Sequence, residues 1–193
     1  MTNTLSTDIQ AFLQKDTTKN FLSTAQAFVD LLEKDNVSKD QFCRQAHFAL
    51  TDLYAAGQKL ESIELKYSGP DYNCEKSDDE LFINNNTDRI AELGKDVFYW
   101  EVFDPTYFEE DGQPGQGWEI SDKEPTQGWL VDDFADIYRD LKIELEKIKL
   151  DNDAAVEDAL WQLHFGFYHH WGNHCINAMR ALHYLWYDGK QGT

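Results

Sequence analysis

The sequence contains few residues of the kinds that mark nucleic-acid-binding, disulfide-rich or thiolate-zinc proteins. Lysine and arginine number 17 against 36 aspartates and glutamates, so the chain lacks the positive surface that binding to a phosphate backbone requires. Only three cysteines occur, Cys43, Cys74 and Cys175, and no two of them form a C-x-x-C pair. We therefore expect no nucleic-acid partner, no disulfide framework and no cysteine-based zinc site.

Long apolar runs and familiar catalytic signatures are also missing. No stretch approaches the roughly 20 apolar residues of a membrane span, and Met1 to Gln10 lacks the basic and apolar segments of a secretory signal. Together with cysteines expected to be reduced, these absences predict a cytoplasmic protein with no membrane partner. The sequence contains no G-x-S-x-G elbow, no P-loop and no dinucleotide fingerprint, so it names no reaction directly.

Acidic residues are concentrated in the middle of the chain. Residues 71–153 contain 24 acidic and 8 basic residues, a net charge of −16, whereas the remainder contains 12 and 9, a net charge of −3. A field of this kind attracts a basic protein or divalent cations, and it also keeps a protein soluble and monomeric. Composition alone leaves these interpretations open.

The spacing of apolar residues indicates a helical protein. A chain of 193 residues with 41% hydrophobic content can bury one core. Helical spacing is present over 20–34, from a capping box at Ser38 to about Ile63, and over 130–150. We predict one all-α domain over 1–193, an up-and-down bundle of about five to seven helices with one long acidic loop.

The last segment has the clearest helical period. Between Leu160 and Trp186, seven apolar side chains fall inside one arc of the helix: Leu160, Leu163, Phe167, Trp171, Ala178, Leu182 and Leu185. A continuous helix here would be about 30 residues and roughly 45 Å long. We predict that it is the spine of the bundle, with Gly166 and Gly172 as the points where it could bend.

The segment between residues 77 and 128 has a weaker pattern. A capping box at Ser77 predicts a short helix, and 87–103 predicts another, although 97–103 is also aromatic and β-branched enough to form a strand paired with 118–121. Three of the four prolines and four glycines lie between Asp104 and Gly128. These residues predict a loop over 104–128, and loops of that length usually serve a function.

Three carboxylates of the 130–150 helix lie close together on its surface. Asp133, Asp136 and Asp140 fall within about 60° of arc, a geometry from which a hard cation can draw several oxygen ligands. The stripe flanks the apolar face and includes a repulsive i,i+4 pair. A solvated flank is the first interpretation, and a site for a cation or a basic partner is the second.

An i,i+4 pair of histidines, His170 and His174, could chelate a metal ion from one helix face. The pair lacks the glutamate of the H-E-x-x-H motif, and histidines at the boundary of a core are the ordinary alternative. If the last two predicted helices pack antiparallel, Asp133 and Asp136 would meet this pair in a mixed carboxylate and imidazole site. Such a site suits divalent-metal-assisted hydrolysis, including that of phosphate esters.

Two functions therefore follow from the residues. The first is a non-catalytic interaction module, adaptor or immunity-like, that needs no cofactor and binds another protein, in its concrete form a basic one. The loop residues expected to contact that partner are Glu109, Glu110, Asp111, Trp118 and Trp129. The alternative is a hydrolase with a divalent ion. Its candidate ligands are Asp133, Asp136, Asp140, His170 and His174.

Several short sequences resemble a family of uncharacterised bacterial proteins of about this length. They are the run DDFADIYRDLK at 132–142, HWG at 170–172 and RALH at 180–183. The likeness is strongest over 87–187. It implies a helical protein of unknown function, and it supplies no catalytic residue to transfer onto this chain.

Overall fold

The computed structural model describes residues 5–33, 38–69, 72–74, 76–81, 98–102 and 125–185. Within these ranges the chain forms six helices of at least eight residues, one four-residue helix and one two-stranded sheet. The helices in chain order are α1 (Thr7–Gln14), α2 (Asp16–Glu33), α3 (Lys39–Gly57), α4 (Asp78–Leu81), α5 (Leu130–Ile148), α6 (Asp153–His169) and α7 (Trp171–His183). The predicted fold class, a helical bundle, is confirmed.

One apolar core holds α2, α3, α5 and α7 together, with the end of α6 against it. Its largest fully buried side chains are aromatic, and among them are Phe21, Phe28, Phe134 and Trp171. The rings of Phe28 and Phe134 stack with centroids 6.1 Å apart, so α2 and α5 meet through aromatic contact. A second, smaller cluster joins α1 to the start of α6.

The helix starts follow local capping chemistry. The Ser38 hydroxyl accepts from the Gln41 amide at the start of α3. The predicted capping box before α4 is formed in both directions between Ser77 and Glu80. At the start of α6, the Asn152 side chain accepts from the amides of the second and third residues that follow it. These contacts satisfy amides that have no partner within the helix.

The prediction of one continuous helix from Leu160 to Trp186 is wrong, because the chain breaks at His170. The backbone of His170 adopts φ −148° and ψ −89°, which ends α6 and lets α7 start in a new direction. The Trp171 side chain turns into the core, where it is 1% exposed and its indole N–H donates to the Leu163 carbonyl at 3.1 Å. Burial of this large ring stabilises the break.

A short hairpin stands beside α5. Strand β1 (Phe98–Glu101) pairs antiparallel with β2 (Thr126–Trp129), and Tyr99 lies opposite Gly128. The strand interpretation of 97–103 is therefore correct over 98–101, and the helix predicted to reach 103 is wrong there. Among the described residues the strand that pairs with β1 is β2, and the proposed partner 118–121 lies outside them.

The predicted loop 104–128 is wrong at its end, since residues 126–128 belong to β2. Residues 103–124 lie outside the described ranges, as does the 87–97 part of the helix predicted over 87–103. Strand β2 runs directly into α5 at Leu130, so the hairpin is tied to the first turn of the acidic helix. Within the described ranges no helix combines the length and the apolar character that crossing a membrane would need.

The break between α6 and α7 depends on a glycine. A Cβ atom at Gly172 would stand 2.0 Å from the Phe167 carbonyl oxygen, which is backbone and cannot turn aside. We expect Gly172→Ala to lower the free energy of unfolding by roughly 3 kcal/mol through overpacking, measured by urea denaturation. Gly69→Ala is the matched control, because nothing lies within 4 Å of its Cβ. Equal stability of the two variants would contradict this account of the break.

Candidate metal centre

Three parts of the fold bring ionisable side chains together at one end of α5. Helix α5 contributes Asp133, Asp136 and Asp140, which share one face because of their i, i+3, i+7 spacing. His170 lies at the break, and His174 follows in the first turn of α7. The contacts of Asp133 with His174 and of Asp140 with His170 show that the two segments run antiparallel along this face.

His174 lies between two carboxylates. Its Nδ1 is 2.9 Å from Oδ1 of Asp133, and its Nε2 is 3.4 Å from Oδ2 of Asp136. The hydrogen bond and the charge of Asp133 raise the pKa of His174, and the charge of Asp136 adds to this effect. Burial opposes it. Both carboxylates therefore favour the protonated form of the imidazole, and its Nε2 faces Asp136.

Asp133 is the most deeply buried member of the group, at 3% exposure. Its burial raises its pKa, and hydrogen bonds from His174 and Tyr99 oppose that effect. The Tyr99 hydroxyl donates to Oδ2 of Asp133 at 2.6 Å. Both carboxylate oxygens are thus satisfied, one by α7 and the other by β1, which is the condition for burying a carboxylate at acceptable cost.

His170 has a carboxylate partner of its own. Its Nδ1 is 2.6 Å from Oδ2 of Asp140, and the two imidazoles meet edge to face with ring centroids 4.9 Å apart. Both histidines therefore use Nδ1 for an aspartate of α5, which leaves Nε2 of each ring for another role. Metal-binding histidines are usually oriented in this way, by a carboxylate on the nitrogen that does not bind the ion.

Asp136, His170 and His174 form a set that could hold a metal ion, since one ligand atom from each lies within 4.8 Å of the other two. Two imidazole nitrogens and one carboxylate oxygen suit Zn²⁺, Mn²⁺ or Fe²⁺ better than Mg²⁺, which prefers oxygen ligands. Ligand bonds of about 2.0–2.2 Å require only a small approach of these side chains. The donor set fits a divalent transition metal.

All five residues proposed as ligands from the sequence meet at this place, although in two different positions. Asp136, His170 and His174 face one another, whereas Asp133 and Asp140 lie behind the histidines and bind Nδ1. The interpretation of the stripe as a solvated flank is wrong for Asp133, which is buried, because this face of α5 packs against α7. The ligand roles themselves stay predictions.

Two residues of this site could not be found from the sequence, Tyr99 and Glu101 of β1. Tyr99 binds Asp133, and Glu101 accepts from the Asn177 side chain of α7 at 2.5 Å. Burial, followed by the charge of Asp133, raises the pKa of Glu101. No local motif marks either residue, since they reach the site only through the pairing of the hairpin.

The five residues predicted to bind a partner are described only in part. Trp129 lies on β2, 39% exposed, and stacks on Phe98 with centroids 5.6 Å apart. Glu109, Glu110, Asp111 and Trp118 lie outside the described residues. Exposed aromatic side chains on the hairpin nevertheless include Phe98 and Trp100, at 46% and 66% exposure.

A family model described as a domain of unknown function (DUF5063) matches residues 13–188. The crystal structure of protein BF1032 from Bacteroides fragilis, a structural genomics target, aligns with a TM-score of 0.66 at 20% sequence identity. The alignment covers 94% of this chain and 99% of that one, which supports the fold alone. No curated protein matches the sequence.

The state of His174 depends on Asp133. We expect Asp133→Asn to bring the pKa of His174 down towards its ordinary value of about 6.5, because the substitution removes the largest of the effects that raise it. An NMR pH titration of the imidazole measures this change. Asp140→Asn, which removes the partner of His170 instead, should leave the His174 value nearly unchanged. An unaltered His174 titration in Asp133→Asn would refute the assignment.

Proposed function

Because this chain belongs to the DUF5063 family, whose name assigns no activity, we propose a function from its side chains: a divalent-metal-dependent hydrolase. Asp136, His170 and His174 are the proposed ligands. One observation carries the proposal above the others, namely that each histidine has its Nδ1 on an aspartate of α5. The two rings are thereby oriented before any ion binds.

This orientation favours metal binding over a simple ion-pair network. An exposed histidine that served only as a surface cation would gain little from a fixed ring direction. Here Asp133 is buried and is itself held by the Tyr99 hydroxyl, so the position of the His174 ring is determined from two elements of the fold. Support of this kind behind the ligands is typical of metal sites.

The chemistry proposed for the site is hydrolysis. A divalent ion would act as a Lewis acid on the bond to be cleaved and on water. In the overall reaction one water adds across that bond, so that its hydroxyl joins the acyl or phosphoryl centre and its remaining proton goes to the leaving group. The protein side chains place the substrate, and the cleft that borders Asp136 and His170, with a volume of about 480 Å³, is large enough for a small molecule.

Metal analysis tests this proposal directly. Untagged protein purified without chelator should contain, or take up, close to one Zn²⁺ or Mn²⁺ per chain. Loss of a supporting residue behind a ligand usually costs 10- to 100-fold in affinity, so Asp136→Ala should cost at least about 100-fold. Calorimetric titration with each ion, and with Mg²⁺ for comparison, measures both the stoichiometry and the affinity of metal binding.

The matched control for that titration is Asp52→Ala, which removes an exposed aspartate of α3. An acidic surface attracts cations weakly at many places, and this variant should retain the affinity of the wild type. Absence of stoichiometric metal, or equal affinities in the two variants, would exclude the metal centre and with it the hydrolase.

A second candidate function is the protein-interaction module, and the exposed aromatic side chains of the hairpin favour it. Phe98, Trp100 and Trp129 are between 39% and 66% exposed, and aromatic residues are enriched where protein partners bind. The excess of negative charge over the middle of the chain favours a basic partner, since complementary charge speeds association and sets specificity.

This candidate predicts that the hairpin contributes most of the affinity. Trp100→Ser combined with Trp129→Ser should weaken binding of an isolated basic partner by at least about 100-fold, the magnitude of a typical aromatic hot spot. Binding is measured by surface plasmon resonance. Tyr168→Ser, which changes an exposed aromatic residue of α6, should bind as the wild type does. Unchanged binding by the hairpin variant would rule out this surface.

A further inference from the structure

The cleft beside the candidate metal centre continues along the groove between α5 and α6. Asp136 and His170 border one end, and Glu144 and Lys147 border the other. The contacts Asp140 to His170 and Asp158 to Lys147 show that the helices run antiparallel along its length. Eight residues separate Asp136 from Glu144, which corresponds to about 12 Å along a helix axis.

A cluster with too few cations lies at the far end of this cleft. The Lys147 ammonium donates to Glu144 at 2.9 Å and to Asp158 at 3.0 Å, so one cation serves two carboxylates. Asp78 of α4 also borders the cleft there. Among the side chains named, three carboxyl groups therefore lie beside a single ammonium.

Glu144 is the member of this cluster that has a buried oxygen without a hydrogen-bond partner among the described residues. The residue is 9% exposed, and while Oε1 accepts from Lys147, the buried Oε2 has no hydrogen-bond partner among the described residues. Leaving a buried carboxyl oxygen without a donor is costly. Burial is the main cause that raises the pKa of Glu144 to about 8, with Asp158 and Asp78 adding to it and Lys147 opposing.

The apolar residues that line the cleft and the negative charge of the protein both favour a cationic ligand. Phe165, 44% exposed, and Ile143 give the cleft an apolar side against which an alkyl chain can pack. Besides Lys147, the basic residues that border the cleft are Arg139 and His170. The formal charge of −19 draws positively charged molecules towards the surface and repels anions.

Resting on the metal-centre function above, we propose that the Glu144 end of the cleft binds the ammonium group of a cationic substrate whose hydrolysable bond lies at the metal centre. The ammonium donates to the Glu144 carboxyl group, which loses its proton as the cation binds, and adds a second positive charge beside Glu144, Asp158 and Asp78. The substrate class is an amide or ester with an amine on the order of 10 Å from the bond that is cleaved. Hydrolysis adds one water, so the acyl group leaves as a carboxylic acid and the amine or alcohol takes up the proton.

The test uses 1,5-diaminopentane as the probe, with metal-free full-length protein, in isothermal titration calorimetry at pH 8. The diamine should bind with a stoichiometry of one. Glu144→Gln should weaken binding by at least about tenfold, the usual consequence of losing a charged partner in a hydrogen bond. The substitution preserves the shape of the side chain and the pair of Lys147 with Asp158, and circular dichroism confirms that the variant is folded.

Two controls separate a specific subsite from general attraction to an acidic surface. Glu64→Gln, at an exposed position after α3, should bind the diamine as the wild type does. Pentyl phosphate, which has the same chain length and the opposite charge, should not bind. Equal affinities of wild type and Glu144→Gln, or binding of pentyl phosphate as tight as that of the diamine, would overturn the proposal.

The pH dependence adds an independent readout. Below about pH 8 Glu144 carries a proton that a bound ammonium must displace, while the amine of the probe stays charged until about pH 10. Affinity should therefore rise between pH 6.5 and 8.5 by more in the wild type than in Glu144→Gln, which keeps only the contribution of other groups such as His174. The other charged and titratable groups that border the cleft or contact Lys147 are the same in both proteins: Asp78, Asp136, Arg139, Asp140, Lys147, Asp158 and His170.

The design distinguishes failure of the subsite from failure of the metal centre. Diamine binding that depends on Glu144, in a protein that takes up no stoichiometric metal, would support the amine subsite and refute the hydrolase. Stoichiometric metal with no Glu144-dependent binding of the diamine would support the metal centre and refute this substrate class.

Discussion

The contact between Asp133 and His174 is the interaction on which the candidate site depends. A carboxylate at 3% exposure is stable only if its oxygens are satisfied, and here one oxygen binds His174 of α7 while the other binds Tyr99 of β1. The same three residues therefore join α5, α7 and the hairpin. Because His174 then presents its second nitrogen to Asp136, a structural requirement of the buried carboxylate also sets the geometry of the proposed metal ligands.

The excess of acidic side chains is the second constraint on this structure, because many of them need a basic partner. Much of the acid on α5 is held by specific partners: Asp140 by His170, Glu144 by Lys147, and Glu146 by Lys142 and Lys149. Lys147 satisfies only one of the two Glu144 oxygens, and burial raises the pKa of this carboxyl group, which favours its neutral form. The two ends of one cleft therefore differ in chemistry, with imidazoles at one end and uncompensated carboxyl groups at the other. That difference is what suggests a bifunctional substrate.

Much of the fold was predictable because it rests on local physics. The period of α2, the capping boxes of α3 and α4 and the extent of α5 all follow from spacing and from backbone donors that need partners. Gly166 and Gly172 indicated where the last helix could bend, but the full break at His170 did not follow, since the apolar arc continues through it. Its cause is the burial of Trp171 and the close approach of Gly172 to Phe167, and both depend on packing against residues distant in the sequence.

The sequence by itself determined that this chain is helical, where its acid is concentrated, that Asp133, Asp136 and Asp140 share one helix face, and that His170 and His174 lie four residues apart, because each of these properties depends on composition or on local spacing. Only the tertiary structure decided which of them face one another, and that Tyr99 and Glu101 join them from a hairpin. It also decided that Glu144 lies at the end of the same cleft. Helix register and strand pairing are set by the burial of side chains from separate segments, and that free energy is not encoded in any one segment alone.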